Sequence, residues 1–146
     1  MRAYKIISLV NQIKVCLQTN DPYEIAAHYG IEVLHRDIDI KGFKAQTIKF
    51  EGYPTVISIN QAYAEISRKV LCAHELGHAL LHEGVINHFD VTQKNINSSV
   101  EYEANLFAVA LLTEEEDFNI PREKLDSTML KKIMDMNVYK EEVFTP

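Results

Sequence analysis

The sequence lacks a long apolar run, since none of its hydrophobic stretches reaches the ~18 residues that a membrane-spanning helix needs. It also lacks a recognisable export signal, because residues 6–17, which follow the basic N-terminus, are interrupted by polar side chains. Hydrophobic residues make up 47% of the 146-residue chain and charged residues 25%, as in globular proteins. We therefore expect a cytoplasmic protein that folds as one domain over residues 1–146.

Cysteine and clustered positive charge are scarce as well. The two cysteines, Cys16 and Cys72, are too few and too far apart to indicate a disulfide framework, so we expect both to be reduced thiols in the core. The net charge of -6 disfavours a broad phosphate-binding surface, because nucleic-acid affinity comes mainly from clustered Lys and Arg. We expect no direct binding to nucleic acid and none to a membrane.

The first half of the chain predicts two helices followed by a small sheet. Apolar residues at helical spacing indicate a helix over residues 3–18. Asn20-Asp21-Pro22 then supplies a cap and a first-turn proline for a helix over residues 22–29, which Gly30 ends. Three strands are expected near residues 31–33, 41–50 and 55–60, the last two joined by a turn at residues 51–54. This order predicts an α+β fold.

The second half is predicted to be mainly helical. One helix runs from residue 61 to about 83, with Asn60 as its cap, and a strongly apolar helix runs from about 98 to 112. Residues 84–97 between them are predicted to form a loop. The acidic run at 114–117 is expected to be a solvated first turn of a helix, and a last helix is expected near residues 128–136.

The stretch HELGHALLH, residues 74–82, contains the pattern H-E-x-x-H. At about 100° per residue, His74, Glu75 and His78 share one face of a helix. Two imidazoles one turn apart can bind one Zn²⁺, and the adjacent carboxylate can take a proton from water at an open coordination position. The alternative is a helix whose histidines bind no metal. Gly77, costly inside a helix, favours close approach of another element, and His82 is expected to lie behind the ligands or on the surface.

A catalytic zinc needs a third protein ligand, and the helix over residues 98–112 is its best source. Glu101 and Asn105 share an apolar stripe there, whereas Glu103 points about 200° away from Glu101. Glu101 could bind the metal while Asn105 orients a histidine, or Glu101 could close a capping box at the start of the helix. The spacing alone leaves both interpretations of Glu101 open.

Two sequence blocks, H-E-L-G-H-A-L-L-H and E-Y-E-A-N-L-F-A-V-A-L-L, occur in an order that resembles the ImmA/IrrE family of metallo-endopeptidases. The segment from D-P-Y-E-I-A-A-H-Y-G-I-E-V to V-I-S-I-N is similar to the same family, so the motif core covers about residues 20–113 and leaves a C-terminal helical extension at 114–146. The resemblance implies a compact zincin-like domain, with a small three-stranded twisted sheet packed on the active-site helix. The second block of the family commonly continues as L-L-M-P, whereas this chain has L-L-T-E.

The resemblance also implies roles for particular residues. His74, His78 and Glu101 would bind one Zn²⁺, with Glu101 preferred over Glu103, and Glu75 would be the catalytic base. The implied activity is zinc-dependent cleavage of a protein, typically a helix-turn-helix repressor of a mobile element or stress regulon, which relieves repression. There are two alternatives: an anti-repressor, meaning a zincin-fold module that binds a repressor without cutting it, or the toxin of a toxin–antitoxin pair.

Two features of the implied active site stay open at this stage. Tyr63, Tyr102 and His88 are candidates for stabilising the oxyanion, and no spacing selects among them. The hairpin over residues 43–60 is a candidate platform, beside which an extended substrate would add as a further strand. The same residues would form an ordinary core hairpin whether or not a substrate binds there.

Overall fold

The computed structural model describes residues 2–38, 40–82 and 98–141 of the chain. These ranges form helices and a three-stranded sheet, which confirms the predicted α+β class. No helix within them is long and apolar enough to cross a membrane. The predicted loop at 84–97 lies outside the described residues.

The elements are α1 (Ala3–Leu17), α2 (Pro22–His28), β1 (Glu32–Arg36), β2 (Ala45–Ile48), β3 (Val56–Asn60), α3 (Glu65–Leu81), α4 (Ser98–Leu112), single 3-10 turns at Glu115–Asp117 and Arg122–Lys124, and α5 (Ser127–Met136).

The start of α2 follows the chemistry that its sequence predicts. The Asp21 carboxylate accepts a hydrogen bond from the Tyr23 backbone N–H at 2.9 Å, and Pro22 occupies the first helical position, where its missing N–H costs nothing. Gly30 follows the helix with φ +71°, a left-handed conformation that side chains disfavour. The predicted boundaries of α2 are thus confirmed to within a residue.

The two cysteines differ in environment. Cys72 on α3 is fully buried, as predicted, and burial raises the pKa of its thiol. Cys16 is exposed, so the prediction of a core thiol at this position is wrong. The buried face of α1 is formed by Ile6, Val10 and Ile13, and Cys16 lies to one side of it.

The sheet has the order β1-β3-β2. β1 runs parallel to β3 with Val33 opposite Ile57, and β2 runs antiparallel to β3 with Thr47 opposite Ile57. β3 is the central and most buried strand, which leaves β2 at one edge. β2 is shorter than predicted because a turn precedes it, in which Gly42 has φ +82°. β2 and β3 both pack on α3.

Asn60 does not cap α3, so that prediction is wrong. Asn60 is the last residue of β3, and α3 begins only at Glu65. The Asn60 amide donates to the Phe43 carbonyl at 3.0 Å, while its side-chain oxygen accepts from the Ala62 backbone N–H at 3.0 Å. The side chain therefore stabilises the turn between strand and helix, a local bonding pattern that competes with helix capping.

Gly77 allows α3 and α4 to pack closely. A Cβ atom at this position would lie 3.0 Å from the Phe107 Cβ and 3.2 Å from the Ala104 Cα, closer than side chains normally approach. The expected close approach at Gly77 is confirmed, and α4 is the element that approaches. α4 is buried between α3 on one side and α1 and α5 on the others. Because α4 also carries Glu101, this packing sets the distance between Glu101 and the histidines of α3.

Two cations hold the C-terminal end of α4. The buried Arg122 guanidinium donates to the carbonyls of Ala110 and Thr113, both at 3.0 Å, and the Lys14 ammonium donates to the Thr113 carbonyl at 3.1 Å. Positive charge at a helix C-terminus satisfies its free carbonyls and complements the helix dipole. α4 therefore ends at Leu112, as predicted, although the chain continues as Thr113-Glu114.

The C-terminal segment contributes more to the fold than its sequence indicated. The acidic run is exposed as expected, but it forms a single 3-10 turn at Glu115–Asp117. α5 begins after Asp126, whose side chain accepts from the Met129 backbone N–H. Beyond α5 the chain returns to the start of α3, where Ser67 donates to the Asn137 carbonyl at 2.8 Å and the Ala64 N–H donates to the Tyr139 carbonyl at 3.0 Å. This connection fixes the first turn of α3.

Candidate metal centre

His74, His78 and Glu101 meet where α3 crosses α4. The Nε2 atom of His74 lies 3.3 Å from Oε2 of Glu101, and the Nε2 atom of His78 lies 2.9 Å from Oε1 of Glu101. One ligand atom from each of the three side chains lies within 4.8 Å of the others. The structure therefore brings together the three residues predicted to bind the metal. Their binding of zinc stays a prediction.

The donor set fits a divalent transition metal. Two imidazole nitrogens and one carboxylate oxygen are ligands that zinc accepts in sites that keep an open position for water or substrate. The His78 side chain is only 1% exposed, whereas that of Glu101 is 27% exposed. The group is thus closed on its α3 side and open towards solvent beside Glu101, which leaves room for a further ligand.

The electrostatic environment keeps Glu101 ionised. Burial by itself raises the pKa of this carboxyl group, but hydrogen bonds from His74 and His78 and the positive charge of their imidazolium forms outweigh the burial and hold the pKa well below its usual range. The ionised carboxylate is the form that binds a metal. Both of its oxygens face histidine nitrogens, as the ligand hypothesis for Glu101 requires.

Glu75 borders the same group and is almost completely buried, with 4% of its side chain exposed. Its Oε2 atom lies 3.8 Å from His74 Nε2. The Thr47 hydroxyl lies 3.2 Å from Glu75 Oε1 and 3.0 Å from the Glu75 carbonyl oxygen, so it donates to this residue from strand β2. One carboxylate oxygen is thus held by the sheet, and the other faces the histidines.

Thr47 was not identified from the sequence. The only signal is its position as an inward-facing polar residue on β2, and such a residue needs a hydrogen-bond partner in the core. That partner, Glu75, lies on an element 28 positions away along the chain. Local patterning does not indicate which buried acceptor a strand residue reaches.

His82 and Glu103 lie behind His78. The Nδ1 atoms of His78 and His82 are 3.0 Å apart, and Glu103 Oε1 lies 3.8 Å from His82 Nε2. Glu103 therefore lies next to His82, whereas Glu101 contacts His74 and His78. Asn105 lines the cleft beside His74 and Glu101. His82 contacts Nδ1 of His78, the ring nitrogen that does not face Glu101.

A cleft of about 230 Å³ adjoins His74 and Glu101. Its walls include Lys44, which precedes β2, and Lys131 and Met134 from α5. The contribution of α5 was missed in the sequence, because its apolar spacing predicts a helix but not the element on which that helix packs. This cleft lies beside two of the three predicted ligands, and a substrate could enter it.

The oxyanion-stabilising residue stays unassigned. Tyr63 is buried in the core, with the Lys140 ammonium 5.9 Å from its ring centre. Burial, followed by the charge of Glu103, raises the pKa of Tyr102. Among the residues that the structure describes, neither tyrosine lines the cleft. His88 lies outside the described residues.

Two histidines one turn apart, a glutamate between them and a carboxylate from a neighbouring helix form the arrangement of an HExxH-type metal site. The chain belongs to the Peptidase_M78 family, whose model, described as the IrrE N-terminal-like domain, matches residues 26–137. This match confirms the family resemblance carried by the two motif blocks, and it extends through α5.

The chain is also similar to one curated relative. The chain is 35% identical over 99 residues to "Uncharacterized immunity region protein 2" of Bacillus phage phi105, an alignment that covers 65% of this chain and 60% of that protein. The chain therefore spans less than two thirds of the length of this relative. No solved structure matches the chain significantly.

Proposed function

We propose that this chain is a zinc-dependent metallo-endopeptidase that cleaves a helix-turn-helix repressor of a mobile element or stress regulon and so relieves repression. The observation that carries the peptidase activity is the position of the Glu75 carboxylate beside the group of His74, His78 and Glu101. Membership of the Peptidase_M78 family supports the same activity. The similarity to an immunity-region protein of a phage supports a role in repressor control.

In this mechanism His74, His78 and Glu101 would hold one Zn²⁺. The bound zinc would act as a Lewis acid that polarises the peptide carbonyl and lowers the pKa of the attacking water. Glu75 takes the proton of that water at Oε2, the oxygen nearer the histidines, and then donates it to the leaving amine. Thr47 bonds to the opposite side of the carboxylate, and this bond keeps Oε2 turned towards the substrate.

The substrate is proposed to lie extended along β2. Among the described residues this strand pairs with β3 alone, so a further strand could add along its other side. Thr47 on β2 contacts Glu75, and a peptide that pairs with β2 would therefore run past the catalytic base. Side chains of the substrate would enter the 230 Å³ cleft beside His74 and Glu101.

The whole chain is proposed to act as one domain in the cytoplasm, where a transcriptional repressor would be met. Support for one domain comes from α4, which packs against α1, α3 and α5 and so links the N-terminal helix, the predicted site and the C-terminal helix. Truncating the chain after residue 113 would remove α5 and one wall of the cleft.

The proposal is tested with a Glu75→Gln variant, which keeps the size of the side chain and removes its ability to accept a proton. The variant is used as bait in an extract of the native cell, and co-purifying proteins are identified by mass spectrometry. Wild-type protein loaded with zinc is then incubated with each captured protein. A Glu116→Gln variant is the matched control, because it removes an exposed glutamate from the turn after α4.

The expected result is a captured helix-turn-helix repressor that wild-type and Glu116→Gln proteins cut and that Glu75→Gln leaves whole. A repressor that is captured but left whole by the zinc-loaded wild type would contradict cleavage and favour an anti-repressor. Growth arrest on expression of the wild type, relieved by Glu75→Gln without any captured repressor, would instead favour a toxin.

A further inference from the structure

His78 and His82 are joined through the ring nitrogens that do not face Glu101. Their Nδ1 atoms lie 3.0 Å apart, while His78 Nε2 lies 2.9 Å from Glu101 Oε1 on the other side of the ring. His78 therefore has one nitrogen in the predicted ligand group and one against a second imidazole. We propose that His82 is a positioning residue for the metal ligand His78, and that the charge of the nearby Glu103 carboxylate favours a proton on Nε2 of His82. The inference rests on the proposed metal site.

The tautomers of the two rings follow from this geometry. A histidine that binds a metal through Nε2 must carry its proton on Nδ1. The Nδ1–H of His78 then donates to Nδ1 of His82, which must present a lone pair. His82 must in turn carry its own proton on Nε2. Nε2 lies 3.8 Å from Glu103 Oε1, which is longer than a hydrogen bond, so the carboxylate acts through its negative charge, which favours a proton on this nitrogen.

The backbone of His82 is held in place for this role. His82 directly follows α3, and its N–H donates to the His78 carbonyl at 3.1 Å. The Lys49 ammonium donates to the His82 carbonyl at 2.6 Å and to the Ala79 carbonyl at 2.8 Å. Lys49, which follows β2, thus anchors the end of α3 by hydrogen bonds. These bonds fix the position of the His82 backbone, from which the ring extends.

Burial strengthens the contacts between these side chains. The side chains of His82 and Glu103 are each 12% exposed, so little water competes for the hydrogen bond between the rings or for the carboxylate. The arrangement also separates the two glutamates of α4. Glu101 faces the ligand nitrogens directly, whereas Glu103 lies beside His82.

A hydrogen-bond acceptor behind a ligand histidine orients its ring and makes its free nitrogen more basic, and its loss typically weakens metal binding by about 10- to 100-fold. His82→Phe keeps a ring of similar size and removes the acceptor. His82→Asn places an oxygen where Nδ1 stands and keeps an acceptor. Glu103→Gln removes the charge and keeps the size of the side chain. His28→Phe, on the exposed end of α2, is the matched control for a histidine-to-phenylalanine change.

The zinc dissociation constant of each purified variant is measured by competition with a chromophoric chelator. We expect His82→Phe to weaken zinc binding about 10- to 100-fold, His82→Asn to recover most of that loss, and Glu103→Gln to give a smaller loss. His28→Phe should match the wild type. Equal affinities of His82→Phe and wild type, or equal losses in His82→Phe and His82→Asn, would overturn the role of His82.

A second measurement needs no variant and so does not depend on how the variants fold. Long-range ¹H–¹⁵N correlation spectra of zinc-loaded wild-type protein report which ring nitrogen of each histidine is protonated. The expected result is a proton on Nδ1 of His78 and on Nε2 of His82. A proton on Nδ1 of His82 would overturn the inference even if zinc binds. A wild type that binds no zinc would instead overturn the metal site and this inference with it.

Discussion

The hydroxyl of Thr47 lies 3.2 Å from Oε1 of Glu75 and so joins the edge strand of the sheet to the carboxylate beside the histidines. Thr47 is fully buried, and Glu75 is nearly so. The contact is made with Oε1, whereas the other carboxylate oxygen, Oε2, faces His74. A strand that would align the substrate thus also orients the proposed base.

Thr47→Val should lower kcat while leaving zinc content and KM nearly unchanged, because it frees the base to rotate without removing it. The expected loss is roughly 10-fold, a part of the ~10²–10⁴ that a general base contributes. Thr47→Ser should restore most of the activity, since it keeps the hydroxyl. Steady-state kinetics on the captured substrate check this. A Thr47→Ser variant as slow as Thr47→Val would show that the methyl group, not the hydroxyl, matters.

Gly77→Ala should destabilise the protein even though alanine favours helices by about 1 kcal/mol over glycine. The added Cβ would stand 3.0 Å from the Phe107 Cβ and 3.2 Å from the Ala104 backbone, so α4 would have to move. Overpacking of this kind costs about 1–3 kcal/mol. Urea unfolding of the metal-free protein measures the change. A variant about 1 kcal/mol more stable than wild type would contradict the close packing of the two helices.

The helices and the sheet could be predicted because their signals are local. The caps at Asp21 and Gly30 and the apolar spacing of α1 act within a few residues of the chain. Asn60 was misassigned because an asparagine stabilises a turn as readily as it caps a helix, and local spacing does not show its contact with the Phe43 carbonyl, 17 positions away along the chain. Cys16 was misassigned because periodicity locates a buried face without giving its width.

In the candidate site, too, local features could be predicted and contacts between elements could not. The spacing of His74, Glu75 and His78 on one helix is local and predicts a shared face. Whether Glu101 faces those histidines depends on how α4 packs against α3, and spacing within α4 carries no information on that packing. The family resemblance supplied this link. The contact of Thr47 with Glu75 likewise depends on how the sheet packs on α3, so it could not be predicted from either segment alone.

Arg122→Gln should destabilise the fold without affecting zinc binding. It removes the donor to the Ala110 carbonyl and one of the two donors to the Thr113 carbonyl, which also accepts from Lys14, and leaving a buried acceptor unpaired costs about 1–3 kcal/mol. Arg122→Lys should not restore stability, because a single ammonium lacks the planar fork of donors. The control Lys124→Gln, at an exposed position nearby, should stay within about 0.5 kcal/mol of wild type. Thermal and urea unfolding compare the four proteins, and equal stability of Arg122→Gln and wild type would contradict this role.

The two thiols should differ in reactivity. Cys16 is exposed, whereas Cys72 is buried, and burial raises the pKa of the Cys72 thiol and so disfavours the reactive thiolate. A disulfide reagent such as Ellman's should therefore titrate one thiol per chain in the native protein and two in denaturant. Cys16→Ser should abolish the fast reaction. Two equally fast thiols in the native protein would be inconsistent with the packing of α3.

Metal analysis of three proteins shows whether His74, His78 and Glu101 together bind one zinc ion, as proposed. Wild type, Glu101→Ala and Glu103→Ala are loaded with excess zinc, freed of unbound metal and measured by elemental mass spectrometry. We expect about one zinc per chain in wild type and a large loss in Glu101→Ala, whereas Glu103→Ala keeps all three ligands and, although its affinity is lower, should still retain most of its zinc. Equal zinc retention in the two glutamate variants would contradict the proposed ligand set.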